Sequence, residues 1–249
     1  MKDQNSYSNY KFINADLLKL LAIFFMLLDH MWATIIPGNQ WMTYVGRLAF
    51  PIFAFQISEG FIHTSNYKAY LKRLFIFGLL SEIPFNLMIN SSLIYPFHQN
   101  VMFTLFLGLL TINEIEKSRR NPSTKNSILA AGAIVLYPLL ATFTFTDYGA
   151  MGVWTVVLFY LYRDFKFAWA FQLLGMVIIN LVILQGMYID VDLLGMVWDF
   201  QTQGFAVLAL IPIWLYNGKK GSNSPIFKYS MYIFYPAHML ILYLIFKFR

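Results

Sequence analysis

An acid and a histidine stand side by side in the first long apolar stretch of the chain, as Asp29 and His30 within LLKLLAIFFMLLDHMWATII. Ionisable side chains inside a bilayer cost about 3 kcal/mol at a helix centre, so they usually mark a functional site. A histidine tuned by a carboxylate can accept a proton, and an arginine such as nearby Arg47 can stabilise developing negative charge. These three residues predict general-base chemistry with His30 as the base. The alternative is a polar pair that caps the outer end of a helix.

Further polar residues interrupt the third apolar stretch in the string SEIPFN, which contains Glu82 and Asn86. Pro84 leaves the carbonyl of Leu80 without its helical partner, so Glu82 could simply repair a kink. A carboxylate is a costly repair where a serine or threonine would serve. We therefore expect Glu82 and Asn86 to line a substrate pocket.

The fourth apolar stretch opens with His98-Gln99-Asn100. Asn100 is the deeper of the two candidates and is predicted to line the same pocket, whereas His98 fits a solvated interfacial histidine. Asp147, in Asp147-Tyr148-Gly149, belongs to a tight outer turn, where aspartate and glycine are ordinary turn formers.

Two more candidates lie in other stretches. Glu59, at the inner end of the second stretch, either contacts substrate or forms an ion pair with Lys72 or Arg73. His238, in YIFYPAHMLILYLIF, is either a pocket residue or a satisfied packing histidine.

Composition identifies the class of protein that carries these residues. The 249 residues are 59% hydrophobic, 19% aromatic and only 12% charged, which predicts an integral membrane protein. Cysteine is absent, which excludes disulfides and thiolate metal sites. The four histidines are scattered, so no metal is predicted, and the basic residues are spread over short loops, which argues against nucleic acid as a partner.

Nine apolar stretches are long enough to cross or nearly cross a bilayer. They predict an all-α fold, a polytopic transmembrane helix bundle of about nine helices that forms a single integral membrane domain over residues 1–249. The first stretch is expected to be a retained helix rather than a removed signal peptide. The predicted spans are 15–36, 42–63, 67–90, 99–116, 126–145, 149–163, 167–185, 202–217 and 227–247.

The distribution of basic residues predicts that the N-terminus lies inside. Lysine and arginine collect on the inner side, and the four outer loops 37–41, 91–98, 146–148 and 186–201 contain none, as the positive-inside rule requires. Lys247 and Arg249 at the outer end are exceptions. The fourteen inner residues are Lys2, Lys11, Lys68, Lys72, Arg73, Lys117, Arg119, Arg120, Lys125, Arg163, Lys166, Lys219, Lys220 and Lys228.

This topology places the first three candidates close together. Only the turn Pro37-Gly38-Asn39 joins the first two helices, so they should be antiparallel neighbours. At about 1.5 Å of rise per residue, His30 and Arg47 then lie at similar depth. Asp29, His30 and Arg47 are therefore expected to converge in the outer half of the membrane.

Several motifs in order resemble the TraX family of membrane proteins. They are LLKLLAIFFMLLDH, GRLAFPIFAFQISEGFIHTSNYKAYLKRL, SEIPFN, NVMFTLFLGLL and TDYGAMG. TraX proteins are associated with N-terminal acetylation of conjugative pilin in the bacterial cell membrane. More distantly, the pattern of His30, Arg47 and Tyr235-Pro236-Ala237-His238 resembles that of the acyltransferase-3 family. The chain lacks the longer arginine-rich inner motif of that group, and its nine predicted spans lack the tenth membrane helix.

The resemblance implies a membrane acetyltransferase with acetyl-CoA as donor. His30 would be the catalytic base, Asp29 would orient its imidazole, and Arg47 would serve the donor or oxyanion region. The implied partners are membrane lipids and a surface acceptor, either pilin or polysaccharide. The inner cations Lys68, Lys72 and Arg73 would meet the CoA phosphates, unless they serve only as topology determinants.

Three functions are compatible with these residues. The first is acetyl transfer to an amine or hydroxyl of a cell-surface acceptor. The second is a transporter or proton-coupled exchanger that uses the same buried ionisable groups as a relay. The third is a non-catalytic assembly factor for a surface polymer.

Overall fold

The structure, a computed structural model, describes residues 11–184, 186–193, 195–222 and 224–249. Lys2, one of the inner basic residues, lies outside this range. In the described part of the chain the fold is all-α apart from one hairpin. The first seven α-helices are α1 (Ala15–Thr34), α2 (Trp41–Gly46), α3 (Ala49–His63), α4 (Tyr67–Asn90), α5 (Val101–Arg120), α6 (Thr124–Phe143) and α7 (Gly149–Leu161).

The C-terminal part is less regular. Helix α8 (Ala168–Val177) continues as a π-helix over Ile178–Ile183, and a 3₁₀-helix over Thr202–Ala209 leads into α9 (Leu210–Trp214). Helix α10 covers Pro225–Phe248. All nine predicted helical stretches are thus confirmed as helical in the part of the chain that the structure describes.

Two local expectations were wrong. The outer segment 186–201, expected to be a loop, contains an antiparallel hairpin of β1 (Tyr188–Leu193) and β2 (Met196–Gln201), in register from Tyr188↔Gln201 to Leu193↔Met196. The second stretch, expected to be one helix, is divided into α2 and α3 around Arg47 and Leu48. Pro51 explains this break, because it has no N–H to bond the carbonyl of Arg47 and is tolerated only in the first turn of a new helix.

Four helical segments are long and apolar enough to cross a membrane by length and composition: Ala15–Thr34, Trp41–His63, Thr124–Phe143 and Tyr229–Phe248. Large apolar side chains on these helices are exposed, for example Leu136 at 64% and Phe143 at 74%. Such surfaces suit lipid rather than water, which supports a membrane protein. The number of spans and the inward N-terminus stay predictions.

Contacts divide the chain into two compact units, residues 1–56 with 167–231 and residues 57–166 with 232–249. The first unit is centred on fully buried side chains such as Leu18, Ile52 and Met176. The second is centred on Leu109 and Val156 among others. The single domain over residues 1–249 stays a prediction.

Candidate functional site

The first unit contains a polar group that joins α1 to α2, which we call the Asp29 cluster (Asp29, Thr43 and Arg47). Arg47 Nη2 donates to both carboxylate oxygens of Asp29, at 2.7 and 2.9 Å. Thr43 Oγ1 donates to Asp29 Oδ1 at 2.6 Å and accepts from Arg47 Nη2 at 3.0 Å. The predicted approach of Asp29 to Arg47 is confirmed, and Thr43 is a partner that the sequence analysis missed.

The ion pair is half-buried, with side-chain exposures of 21% for Asp29 and 23% for Arg47. Thr43 is fully buried. A charged pair in this setting is held by short, charge-assisted hydrogen bonds rather than by a solvated surface contact. Asp29 precedes His30 in the sequence and was expected to orient its imidazole. The described partners of the Asp29 carboxylate are Arg47 and Thr43. The orientation of the His30 imidazole by Asp29 stays a prediction.

Gly46 makes this cluster geometrically possible. A Cβ at this position would lie 2.5 Å from Asp29 Cβ and 2.9 Å from its Cγ. Since real Cβ atoms do not approach so closely, α2 can reach α1 at this level only through a glycine. The turn between the helices also uses a glycine, Gly38, at a φ of +99°.

We predict that Gly46→Ala lowers the stability of the purified protein by about 1–3 kcal/mol, because the added methyl group displaces the Asp29 side chain. Thermal unfolding in detergent measures this change. The matched control is Gly132→Ala in α6, where a Cβ would meet nothing within 4 Å. Equal unfolding temperatures for the two variants would contradict the packing argument.

The second unit contains a larger polar group, which we call the His98 cluster (Glu82, His98, Asn100, Asp147 and Tyr235). Asn100 Nδ2 donates to Glu82 Oε2 at 2.6 Å and to the carbonyl of Gly78 at 2.9 Å. Asn100 Oδ1 accepts from the backbone N–H of Met102, so this side chain also caps the start of α5. These bonds make Asn100 the group that holds Glu82, and its predicted pocket-lining role stays a prediction.

Glu82 and Asn86 both keep one buried oxygen, Oε1 and Oδ1, without a hydrogen-bond partner among the described residues. They are one helical turn apart on α4. Buried acceptors are nearly always satisfied in proteins, so each such oxygen calls for a donor. These two oxygens fit the predicted pocket-lining role, since an ammonium or hydroxyl group would supply that donor.

His98 lies beside Asp147, with 3.6 Å between His98 Nε2 and Asp147 Oδ1. Its ring packs edge-on against Phe85 with the ring centroids 5.0 Å apart. The nearby carboxylate of Asp147 raises the pKa of His98, with a further contribution from Glu82, while burial acts in the opposite direction. His98 is thus part of a polar cluster, and with 38% of its side chain exposed it is also partly open to solvent, as expected for an interfacial histidine.

Tyr235, the tyrosine of the Tyr-x-x-His motif in α10, is buried and completes the His98 cluster. It interacts with the backbone amide of Val101 and with the charges of Asp147 and Glu82. His238 is 3% exposed, its Nδ1 lies 2.8 Å from the carbonyl of Phe234, and its ring stacks on that of Phe234. These contacts are those of a packed histidine, the alternative given above for His238.

The remaining candidates lie near the C-terminal end of α3, which contains Glu59, and near the N-terminal end of α4, which contains Lys68, Lys72 and Arg73. Glu59 Oε2 is 3.5 Å from His63 Nε2, an ion-pair partner that the sequence analysis did not name. Its contact with substrate, or with Lys72 or Arg73, stays a prediction. Lys68 and Lys72 line an open groove of about 290 Å³ together with Leu71, Phe75 and Phe106. The Arg73 guanidinium lies 5.6 Å from the centre of the Tyr70 ring.

The predicted candidates thus occupy two described sites. Asp29, His30 and Arg47 belong to the first unit, and the others belong to the second. A common cavity for both sets stays a prediction. No group of three or more metal-ligating side chains occurs among the described residues.

Comparison with known proteins decides the family. The family model described as "TraX protein" matches residues 14–246. The chain belongs to the TraX family. A "Probable fimbrial assembly protein FimC, serogroup H1" of Dichelobacter nodosus is 31% identical over 238 residues, which cover 90% of this chain and 92% of that protein.

A second relative of this TraX protein is an uncharacterized protein of Rickettsia prowazekii (strain Madrid E). It is 26% identical over 143 residues, which cover 57% of this chain and 53% of the relative. No solved structure gives a significant match. The comparisons confirm the resemblance found in the sequence motifs and connect the family with fimbrial assembly.

Proposed function

We propose that this TraX-family chain is a multi-pass acetyltransferase of the bacterial cell membrane. It takes the acetyl group from acetyl-CoA and transfers it to an amine or hydroxyl of a cell-surface acceptor, either a pilin-like protein or a glycan. The name of the Dichelobacter nodosus relative, a probable fimbrial assembly protein, favours a fimbrial acceptor.

The observation that carries this proposal is the Asp29–Arg47 ion pair, which is held between two apolar helices at the position next to His30. In the proposed reaction His30 removes a proton from the acceptor, and Arg47 stabilises the negative charge that develops on the acetyl carbonyl oxygen. Asp29 fixes the guanidinium of Arg47. These are roles that the local geometry supports for a group transfer.

The second site supplies groups suited to the acceptor. The unpartnered oxygens of Glu82 and Asn86 would receive hydrogen bonds from an ammonium or hydroxyl group. Asn100 would hold Glu82 in place. On the donor side, Lys68 and Lys72 border an apolar groove, and with Arg73 they would meet the phosphates of CoA.

The rival function is a transporter or proton-coupled exchanger, for which the same buried ionisable groups would form a relay. Proteoliposomes separate the two functions. With labelled acetyl-CoA on the inner side and an acceptor peptide or sugar outside, the acetyltransferase consumes acetyl-CoA and forms an acetylated product. Substrate or proton flux without consumption of acetyl-CoA would favour the transporter. If neither acetylation nor flux were observed, a non-catalytic assembly factor would be the remaining function.

A further inference from the structure

Two loops of the second unit are fastened to each other at His98 and Asp147. A parallel bridge pairs Gln99 with Thr146: Gln99 N–H donates to the carbonyl of Phe145 and Asp147 N–H donates to the carbonyl of Gln99, both at 2.9 Å. The Thr104 hydroxyl donates to the carbonyl of Asp147. The backbone on both sides of the pair is therefore fixed, and so is the approach of the two side chains.

The loop that presents Asp147 adopts an unusual backbone. Phe145 and Tyr148, both bulky, have φ values of +55° and +63°, in the left-handed region that favours glycine. Such conformations are retained where the surrounding structure imposes them and are frequent at functional sites. Here they turn the chain so that Asp147 faces His98 while Tyr148 precedes the first turn of α7.

The imidazole of His98 has one nitrogen at Asp147 and one without a hydrogen-bond partner among the described residues. Nε2 faces the carboxylate, whereas Nδ1 is unengaged and the side chain is 38% exposed. An imidazole held at one nitrogen by a carboxylate, with the other open, can accept a proton from a bound group. The charged groups that act on His98 are Asp147 on the facing loop and Glu82 on α4, and the same two carboxylates act on Tyr235 of α10.

We propose that His98, positioned by Asp147, removes the first proton from an acceptor ammonium group, so that a free amine is delivered to the acetyl donor. This inference rests on the proposed function in its amine form. Acylation of an ammonium group needs two proton removals, because R–NH3+ must become R–NH2 before attack and the attacking nitrogen must lose a second proton afterwards.

The first proton moves from the ammonium to His98 Nδ1, forming an imidazolium beside Asp147. The amine nitrogen then bonds to the acetyl carbonyl carbon and the carbon–sulfur bond breaks. The nitrogen then loses its second proton, which protonates the departing CoA thiolate. The products are the N-acetyl amide and CoA, and His98 releases its proton to solvent.

The test is the pH dependence of acetyl transfer to a short peptide with a free α-amine, measured for wild type, His98→Gln and His63→Gln. An α-amine has a pKa of about 7.7–8.0, so about a tenth of it is free at pH 7 and nearly all at pH 9. His98→Gln should be about fivefold slower than wild type at pH 7 and match it to within about twofold at pH 9. His63, exposed and paired with Glu59, is the control and should keep the wild-type profile.

Asp147→Asn adds a readout that does not depend on the His98 variant. Because the Asp147 carboxylate raises the pKa of His98, its removal should move the acid limb of the profile to lower pH. A purely structural role would leave that limb in place.

A His98→Gln profile that parallels wild type, a folded variant inactive even at pH 9, or an unmoved limb in Asp147→Asn would each overturn the inference. Absence of transfer by wild type would instead contradict the proposed function itself.

Discussion

We expect the replacement of His30 by alanine to lower the rate of acetyl transfer about 10³-fold and to leave the protein folded. General-base catalysis typically contributes 10²–10⁴-fold, and the proposed reaction assigns that step to this imidazole. The substitution should not disturb α1, because alanine is the best helix former and the described hydrogen bond from Thr34 Oγ1 at 2.6 Å is to the backbone carbonyl of His30.

Initial rates with labelled acetyl-CoA, together with thermal unfolding in detergent, measure both parts of this prediction. His63→Ala is the matched control, since its side chain is 60% exposed. Full activity in His30→Ala would remove His30 from the mechanism. A loss of activity accompanied by unfolding would show a structural role instead.

We expect the replacement of Arg47 by alanine to lower both the stability of the protein and the rate of acetyl transfer. The substitution leaves the Asp29 carboxylate half-buried without its cation, and breaking a buried pair in this way costs about 3–5 kcal/mol. Because more than a fifth of each side chain is exposed, we expect about 2–4 kcal/mol here. Loss of an oxyanion-stabilising donor slows acyl transfer by about 10²–10³-fold.

A double variant separates these two effects. Asp29→Asn combined with Arg47→Met removes both charges, so it should regain most of the stability but not the activity. Arg120→Ala is the control, because Arg120 is an exposed arginine paired with Glu116 on α5. Its unfolding temperature should match wild type. Equal losses in Arg120→Ala and Arg47→Ala would contradict a special role for the Asp29 cluster.

The helices could be predicted from sequence because each apolar stretch is long and bounded by polar residues or turn formers. The hairpin was missed because each strand has only six residues, whose alternation in YIDVDL and MVWDFQ is short beside the apolar helices around it. The division of the second stretch had a readable signal in Pro51, since a proline removes one helical hydrogen bond.

The two sites were predictable to different degrees. Asp29 and Arg47 are joined through a short turn, so local reasoning brought them together, and Thr43, one turn before Arg47, carried a signal in its spacing. Gly46 carried none, since its role depends on the distance to Asp29. His98 and Asp147 come from loops far apart in sequence, and only tertiary packing pairs them.

The most direct test of acetyl transfer uses the purified protein in detergent, where transport between compartments is impossible. It is incubated with acetyl-CoA labelled in the acetyl group and a panel of amine and hydroxyl acceptors, including a pilin-like peptide, and the acceptors are analysed by mass spectrometry. We predict that wild type places one labelled acetyl group on an acceptor and releases an equal amount of CoA, while His30→Ala does neither. Wild-type protein that leaves every acceptor unlabelled and acetyl-CoA intact would contradict the account.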